Sequence, residues 1–121
     1  MKKIILLGEP KSSQTIYKYH CKFGFPTGYM SAKGKSVKED YQWQIKSQWH
    51  SDMLLKAVKL TVTLFFSRKG VHDVDNFNKL VLDALSGIVY SDDVQVEELT
   101  IIKKFDLKNP RVEVEIYDKT N

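Results

Sequence analysis

The chain has 121 residues, of which 42% are hydrophobic and 28% charged. That balance suits one folded domain spanning residues 1–121 and excludes disordered or collagen-like material. A single cysteine, Cys21, excludes an internal disulfide and a multi-cysteine zinc site, and points to a reducing, cytoplasmic setting. The net charge is +4, but residues 1–72 hold 13 Lys/Arg against 4 Asp/Glu, and residues 73–121 hold 6 against 11. The first part, at +9, suits a polyanion; the second, at −5, suits a cation. The apolar run at 4–7 is too short for a signal peptide, and no run approaches the roughly 20 residues of a membrane span.

Residues 3–7 read as a first strand. Across 11–35, Lys11, Lys18, Lys22, Lys33 and Lys35 are interleaved with Tyr17, Tyr19, Phe23, Phe25 and Tyr29, and broken by Gly24, Pro26, Gly28 and Gly34. This reads as a mostly irregular, basic and aromatic segment with room for a short strand. Ser36-Val37-Lys38-Glu39 has the form of a capping box. Val37, Tyr41, Ile45 and Trp49 then recur every fourth residue, predicting a helix to about residue 50. Residues 57–66 alternate, with Val58, Leu60, Val62, Leu64 and Phe66 on one face, and only Phe65 breaks the pattern.

A polar loop carrying Arg68 and Lys69 follows. Phe77, Leu80, Val81, Ala84, Leu85 and Ile88 have helical spacing, so 75–86 is the clearest helix, stopped by Gly87. Residues 94–104 form a strand with a bulge at Glu97-Glu98, 108–110 a turn, and 112–116 a last alternating strand. The fold class is α+β: two layers, with a mostly antiparallel or mixed sheet and two main helices.

Chemistry concentrates in His72-Asp73-Val74-Asp75-Asn76-Phe77-Asn78-Lys79, then Asp83, then Ser91-Asp92-Asp93-Val94-Gln95. In an extended entry to the helix, the i, i+2 spacing of Asp73 and Asp75 aims both carboxylates one way. Clustered carboxylates invite a hard counter-ion, and Mg²⁺ takes a few carboxylates plus waters and phosphate oxygens. Lys79, one turn beyond Asp75, can pair with it or hold a phosphate. The intervening helix is about 18 Å long at 1.5 Å per residue, so Asp93 meets Asp75 only if the chain runs back or a partner chain supplies one set. Plainer roles stand beside these: Asp73 or Asp75 as an N-cap, Asp75–Lys79 as a helix ion pair, Asp92-Asp93 as turn residues. A calcium loop starting at Asp73 fails, because Asn78 stands where it needs Gly and Ala84 where it needs Glu. His20, His50 and His72 lack metal-ligand spacing.

The run Asp73-x-Asp75-Asn76-x-x-Lys79-x-x-x-Asp83-Ala84-Leu85, followed by Asp92-Asp93-x-Gln95-Val96 and Lys103, resembles the RusA family of Holliday junction resolvases. Ser31-Ala32-Lys33-Gly34-Lys35 is similar to the family's segment before its first helix. The resemblance implies a small homodimeric, Mg²⁺-dependent endonuclease that nicks four-way DNA junctions symmetrically in recombination and repair. It implies that Asp73, Asp75 and Asp93 bind the metal, that Lys79 is the essential basic residue beside them, and that Asp92, Asn76, Asp83 and Gln95 belong to the same pattern. Lys11, Lys18, Lys33, Lys35, Arg68 and Lys69, with Lys22, are candidate contacts to DNA phosphates. Tyr17, Tyr19, Phe23 and Phe25 are candidates to stack on unpaired bases or, equally, to fill the core. Two other functions fit the same residues: a non-catalytic branched-DNA-binding module, and a nuclease acting on another branched DNA or on RNA.

Overall fold

The computed structural model describes residues 1–12, 17–22, 25–30, 32–70 and 72–119; for 17–22, 25–30 and Lys33 it gives the backbone alone. In chain order the elements are β1 (Lys2–Leu7), β2 (Tyr17–Lys22), β3 (Phe25–Met30), α1 (Ala32–Gln48), β4 (Val58–Phe66), α2 (Asn78–Leu85), β5 (Val96–Phe105) and β6 (Arg111–Asp118). Short 3₁₀ turns occupy Val74–Asn76 and Asp93–Gln95. The main sheet has the order β1-β6-β4-β5, with β1/β6 and β6/β4 antiparallel and β4/β5 parallel. The sheet is therefore mixed and the class α+β, as the sequence predicts.

The alternation in β4 buries Val58, Leu60, Val62, Leu64 and Phe66 on one face. Val112, Val114 and Ile116 of β6 and Ile4 and Leu6 of β1 extend that face. Tyr41 and Ile45 of α1, and Trp49 just beyond its end, close over it, with Leu80, Val81, Ala84 and Leu85 of α2, in one hydrophobic core. Phe65, the exception to the alternation, lies on the opposite face, where the Arg111 guanidinium stacks 3.8 Å from its ring. Gln44 and Gln48 dock α1 on β1: their Oε1 atoms accept from the Leu7 and Ile5 amides at 2.7 and 2.8 Å.

Four expectations need correction. Within the segment 11–35, expected to be mostly irregular, residues 17–22 and 25–30 are strands: β2 and β3 pair antiparallel, Tyr17 opposite Met30 and Lys22 opposite Phe25. Helix α1 begins at Ala32, so Ser36 lies inside it and Ser36–Glu39 caps nothing. The helix expected over 75–86 is split by Phe77. Its backbone departs from helical geometry (φ −117°, ψ −7°) as its ring turns into the core, 5.0 Å from Phe66. The strand expected from Val94 starts two residues later, because Asp93–Gln95 coil into a 3₁₀ turn. The bulge is present: the register steps from Val58–Val96 to Lys59–Glu98, leaving Glu97 as the extra residue. Gly87 adopts φ +86°, the left-handed stop that ends α2. Among the described residues no helix is long and apolar enough to cross a membrane.

Parallel strands need a crossover, because the chain must return to the end from which it started. Here the return from β4 to β5 is α2 with its flanking turns, and it contains every residue from Asp73 to Asp93.

Candidate active site

The loop after β4 is anchored on several sides. The Ser67 amide donates to Glu9 Oε1 at 3.0 Å. The His72 ring stacks on Phe66 (centroids 3.9 Å apart, planes within 4°), and one of its nitrogens lies 3.2 Å from the Arg68 carbonyl oxygen. From β5, Lys103 Nζ donates to the His72 carbonyl oxygen at 3.2 Å. Asp73 follows in an extended conformation (φ −86°, ψ 110°), and its carbonyl oxygen accepts from the Asn76 amide at 3.0 Å.

Asp73 sits at the N-cap of the first 3₁₀ turn, yet its side chain makes no cap hydrogen bond. Its carboxyl instead lies beside that of Asp75. Hydrogen bonding to Asp75 and the Asp75 charge push the Asp73 pKa above the ordinary carboxylate value, partly offset by Lys103. The two carboxyls therefore do meet, but through a 3₁₀ turn rather than along an extended strand. Asp75 and Asp73 are both exposed.

A second carboxyl pair lies at the other end of the crossover, and its members have different roles. Asp92 caps the 3₁₀ turn, its Oδ1 accepting from the Val94 amide at 3.1 Å. Gln95 completes a capping box by accepting from the amides of Ser91 and Asp92 at 2.8 and 3.1 Å. The same Gln95 donates from Nε2 to the carbonyl oxygens of Leu54 and Lys56, both at 2.9 Å. This one side chain locks the turn to the 54–56 loop. The Val94 amide holds the Asp92 pKa low, whereas the neighbouring Asp92 carboxylate, as the acceptor of the pair, raises that of Asp93. Asp92 thus takes the plainer role of a cap and leaves Asp93 as the carboxyl available to a ligand. Between the pairs, Lys79 Nζ lies 3.7 Å from Asp83, and both sit within electrostatic range of Asp93.

The structure brings Asp73 to Asp75 and Asp92 to Asp93. Among the described residues it gathers no group of three His, Cys, Asp or Glu that could hold a metal ion. The Asp73–Asp75 pair nevertheless has the donor chemistry of a Mg²⁺ site: two adjacent exposed carboxylates, with open positions for water and phosphate oxygens.

Of the candidate DNA contacts, Lys11, Lys35, Arg68 and Lys69 are exposed. Arg68 and Lys69 lie in the loop that leads into Asp73. Lys11 follows the end of β1 that pairs with the start of β6, at the same end of the sheet. Helix α1 runs antiparallel to β1, so its first turns, with Lys35, extend past that end too. The side chains of Lys18, Lys22, Lys33, Tyr17, Tyr19, Phe23 and Phe25 lie outside the described residues. Sequence reasoning missed the anchoring roles of His72 and Gln95. For Gln95 a signal was there: Asp92-x-x-Gln95 is itself a capping-box spacing.

A family profile described as Endodeoxyribonuclease RusA matches residues 8–117. Among curated proteins, the "Uncharacterized protein YqaN" of Bacillus subtilis (strain 168) is 52% identical over 44 residues. That match covers 36% of this chain and 30% of the relative, so the chain aligns with less than a third of that protein's length.

Proposed function

The chain belongs to the RusA family of endodeoxyribonucleases, and from that membership we propose that it is a Mg²⁺-dependent nuclease that resolves four-way DNA junctions by paired, symmetric nicks. The observation that carries the reading is the pair of exposed, mutually interacting carboxyls Asp73 and Asp75 on a loop that also presents Arg68 and Lys69. Two acids pressed together at an exposed position cost free energy unless a proton or a cation lies between them. Asp73 and Asp75 would hold Mg²⁺, which when bound polarises a water and a scissile phosphate.

Each remaining role belongs to the chain itself. Lys103 and the His72 stack fix the backbone that presents Asp73. Arg68, Lys69, Lys11 and Lys35 receive backbone phosphates at the same end of the sheet. Lys79 supplies positive charge to the phosphate as negative charge builds on it. Asp93, positioned by the Asp92–Gln95 cap, would be the third metal ligand. Because Asp93 lies across the crossover from Asp73, its place in the site is filled from a second copy. That arrangement requires a homodimer, and a two-fold dimer matches the paired scissile sites of a symmetric junction.

The test is an Asp75→Asn variant assayed for binding and cleavage of a synthetic four-way junction. Cleavage is lost and binding retained if Asp75 holds the metal. Retained cleavage overturns the metal assignment, and loss of both activities overturns a purely catalytic role.

A further inference from the structure

β5 forms an edge of the sheet: it pairs with β4 on one side, and on the other it presents a ten-residue ladder. Leu99, Ile102 and Phe105 are 36%, 37% and 40% exposed. Edge strands ordinarily carry charge to repel a further strand. Here the charges are segregated by sign: Val96-Glu97-Glu98-Leu99-Thr100-Ile101-Ile102-Lys103-Lys104-Phe105 is acidic at its start, apolar in its middle and basic at its end. A parallel copy would meet like charge at both ends, whereas an antiparallel copy meets opposite charge at both.

We propose that β5 pairs antiparallel with β5 of a second copy of this chain, joining two four-stranded sheets into one of eight strands. The proposal rests on the homodimer reading above and specifies the surface that forms it. Side chains opposite one another in an antiparallel ladder share a face, so a two-fold axis must pass through one residue and its own copy. An axis at Ile101 sets Ile101 against itself, Thr100 opposite Ile102, and Glu98 opposite Lys104. The apolar residues then lie at the centre and the two ion pairs at the flanks. Lys119 already contacts Glu98 at 3.1 Å and Glu97 at 3.6 Å, holding the acidic end in place as one side of that arrangement. The same pairing lays the start of one β5, which follows Asp93, beside the end of the other, where Lys103 bonds the residue before Asp73.

The experiment measures mass by sedimentation equilibrium for the full chain, for Lys104→Glu, and for Lys104→Glu combined with Glu98→Lys. Circular dichroism checks the fold of each. The wild type is expected to be a dimer, the single reversal to weaken dimerisation about tenfold or more by placing like charges opposite twice, and the double reversal to restore it. A second measurement uses Ile101→Cys in a Cys21→Ser background. Residues directly opposed in a ladder lie about 4.5–5.5 Å apart at Cα, within disulfide reach, so oxidation gives a covalent dimer. A dimer unaffected by the reversals and not cross-linked at residue 101 overturns this interface and leaves the homodimer reading standing. A wild-type monomer at all concentrations, with or without junction DNA, overturns both.

Discussion

Lys103 Nζ lies 3.2 Å from the carbonyl oxygen of His72, joining the edge strand β5 to the peptide that introduces Asp73. This bond ties the far half of β5, where Lys103 pairs with Leu64, to the start of the crossover and fixes the loop against the sheet. A Lys103→Met change keeps most of the stem but removes the donor and the positive charge beside Asp73. Cleavage should fall by one to two orders of magnitude with thermal stability nearly unchanged. Junction-cleavage rates alongside a thermal melt check this, and an unaltered rate would remove Lys103 from the account.

The carboxyl pair predicts a pH signature in metal-free protein. The Asp73 pKa is raised by its hydrogen bond to Asp75 and by the Asp75 charge. A folded pKa above the unfolded one adds stability that is complete below the unfolded value and is lost as pH rises through the folded value. The metal-free protein should therefore lose a little stability as pH rises past the ordinary carboxylate range. Added Mg²⁺ should reverse the trend by favouring the ionised pair. Carboxyl-carbon NMR titration would show Asp73 protonating at higher pH than Asp92, with Asp75→Asn bringing Asp73 down.

Gln95 predicts a division between stability and chemistry at the second pair. Gln95→Ala leaves the carbonyls of Leu54 and Lys56 and the amides of Ser91 and Asp92 without their partner, at a cost of about 2 kcal/mol. Asp93→Asn should leave the melting temperature in place while removing cleavage. Denaturant unfolding and the junction assay on both variants separate the two effects.

Much of this architecture is legible in the sequence, and the exceptions have physical causes. The β4 alternation, the α2 stripe and the Gly87 stop are local signals, and the structure reproduces them. The β2–β3 hairpin was hidden because Gly24, Pro26 and Gly28 dominate a local reading, whereas pairing depends on the other strand. Gly34 reads as a break before α1 but lies buried within it, so the helix starts earlier than its apolar stripe. The parallel pairing of β4 with β5 is a long-range relation that no period reveals. For the same reason the sequence shows two carboxylate pairs flanking α2, but not whether Asp93 meets Asp75.

If Asp93 serves the site of the other copy, two inactive variants should complement. Asp75→Asn and Asp93→Asn each lack cleavage alone. In a mixed dimer, one site regains Asp73 and Asp75 from one chain and Asp93 from the other. Mixing the two, with unfolding and refolding to exchange subunits, should restore nicking on one strand of a junction. No recovery in a confirmed mixed dimer would place Asp93 in its own chain's site.

Phosphate contacts release counter-ions, so junction affinity should fall linearly on a log scale with salt. Replacing Arg68 and Lys69 together by Gln should reduce that slope by about two if each contacts one phosphate. Fluorescence anisotropy over a salt series reads the slope, and an unchanged slope would move the DNA away from this loop.

The most direct measurement incubates the purified chain with a labelled four-way junction and with a matched linear duplex, in Mg²⁺ or in EDTA, and maps the cuts. The account predicts nicks at symmetric positions on two opposed strands of the junction, abolished by EDTA, with the duplex intact. Junction binding without any Mg²⁺-dependent nick would contradict the nuclease reading and leave a branched-DNA-binding module. Equal cutting of junction and duplex would contradict the selectivity for four-way structure.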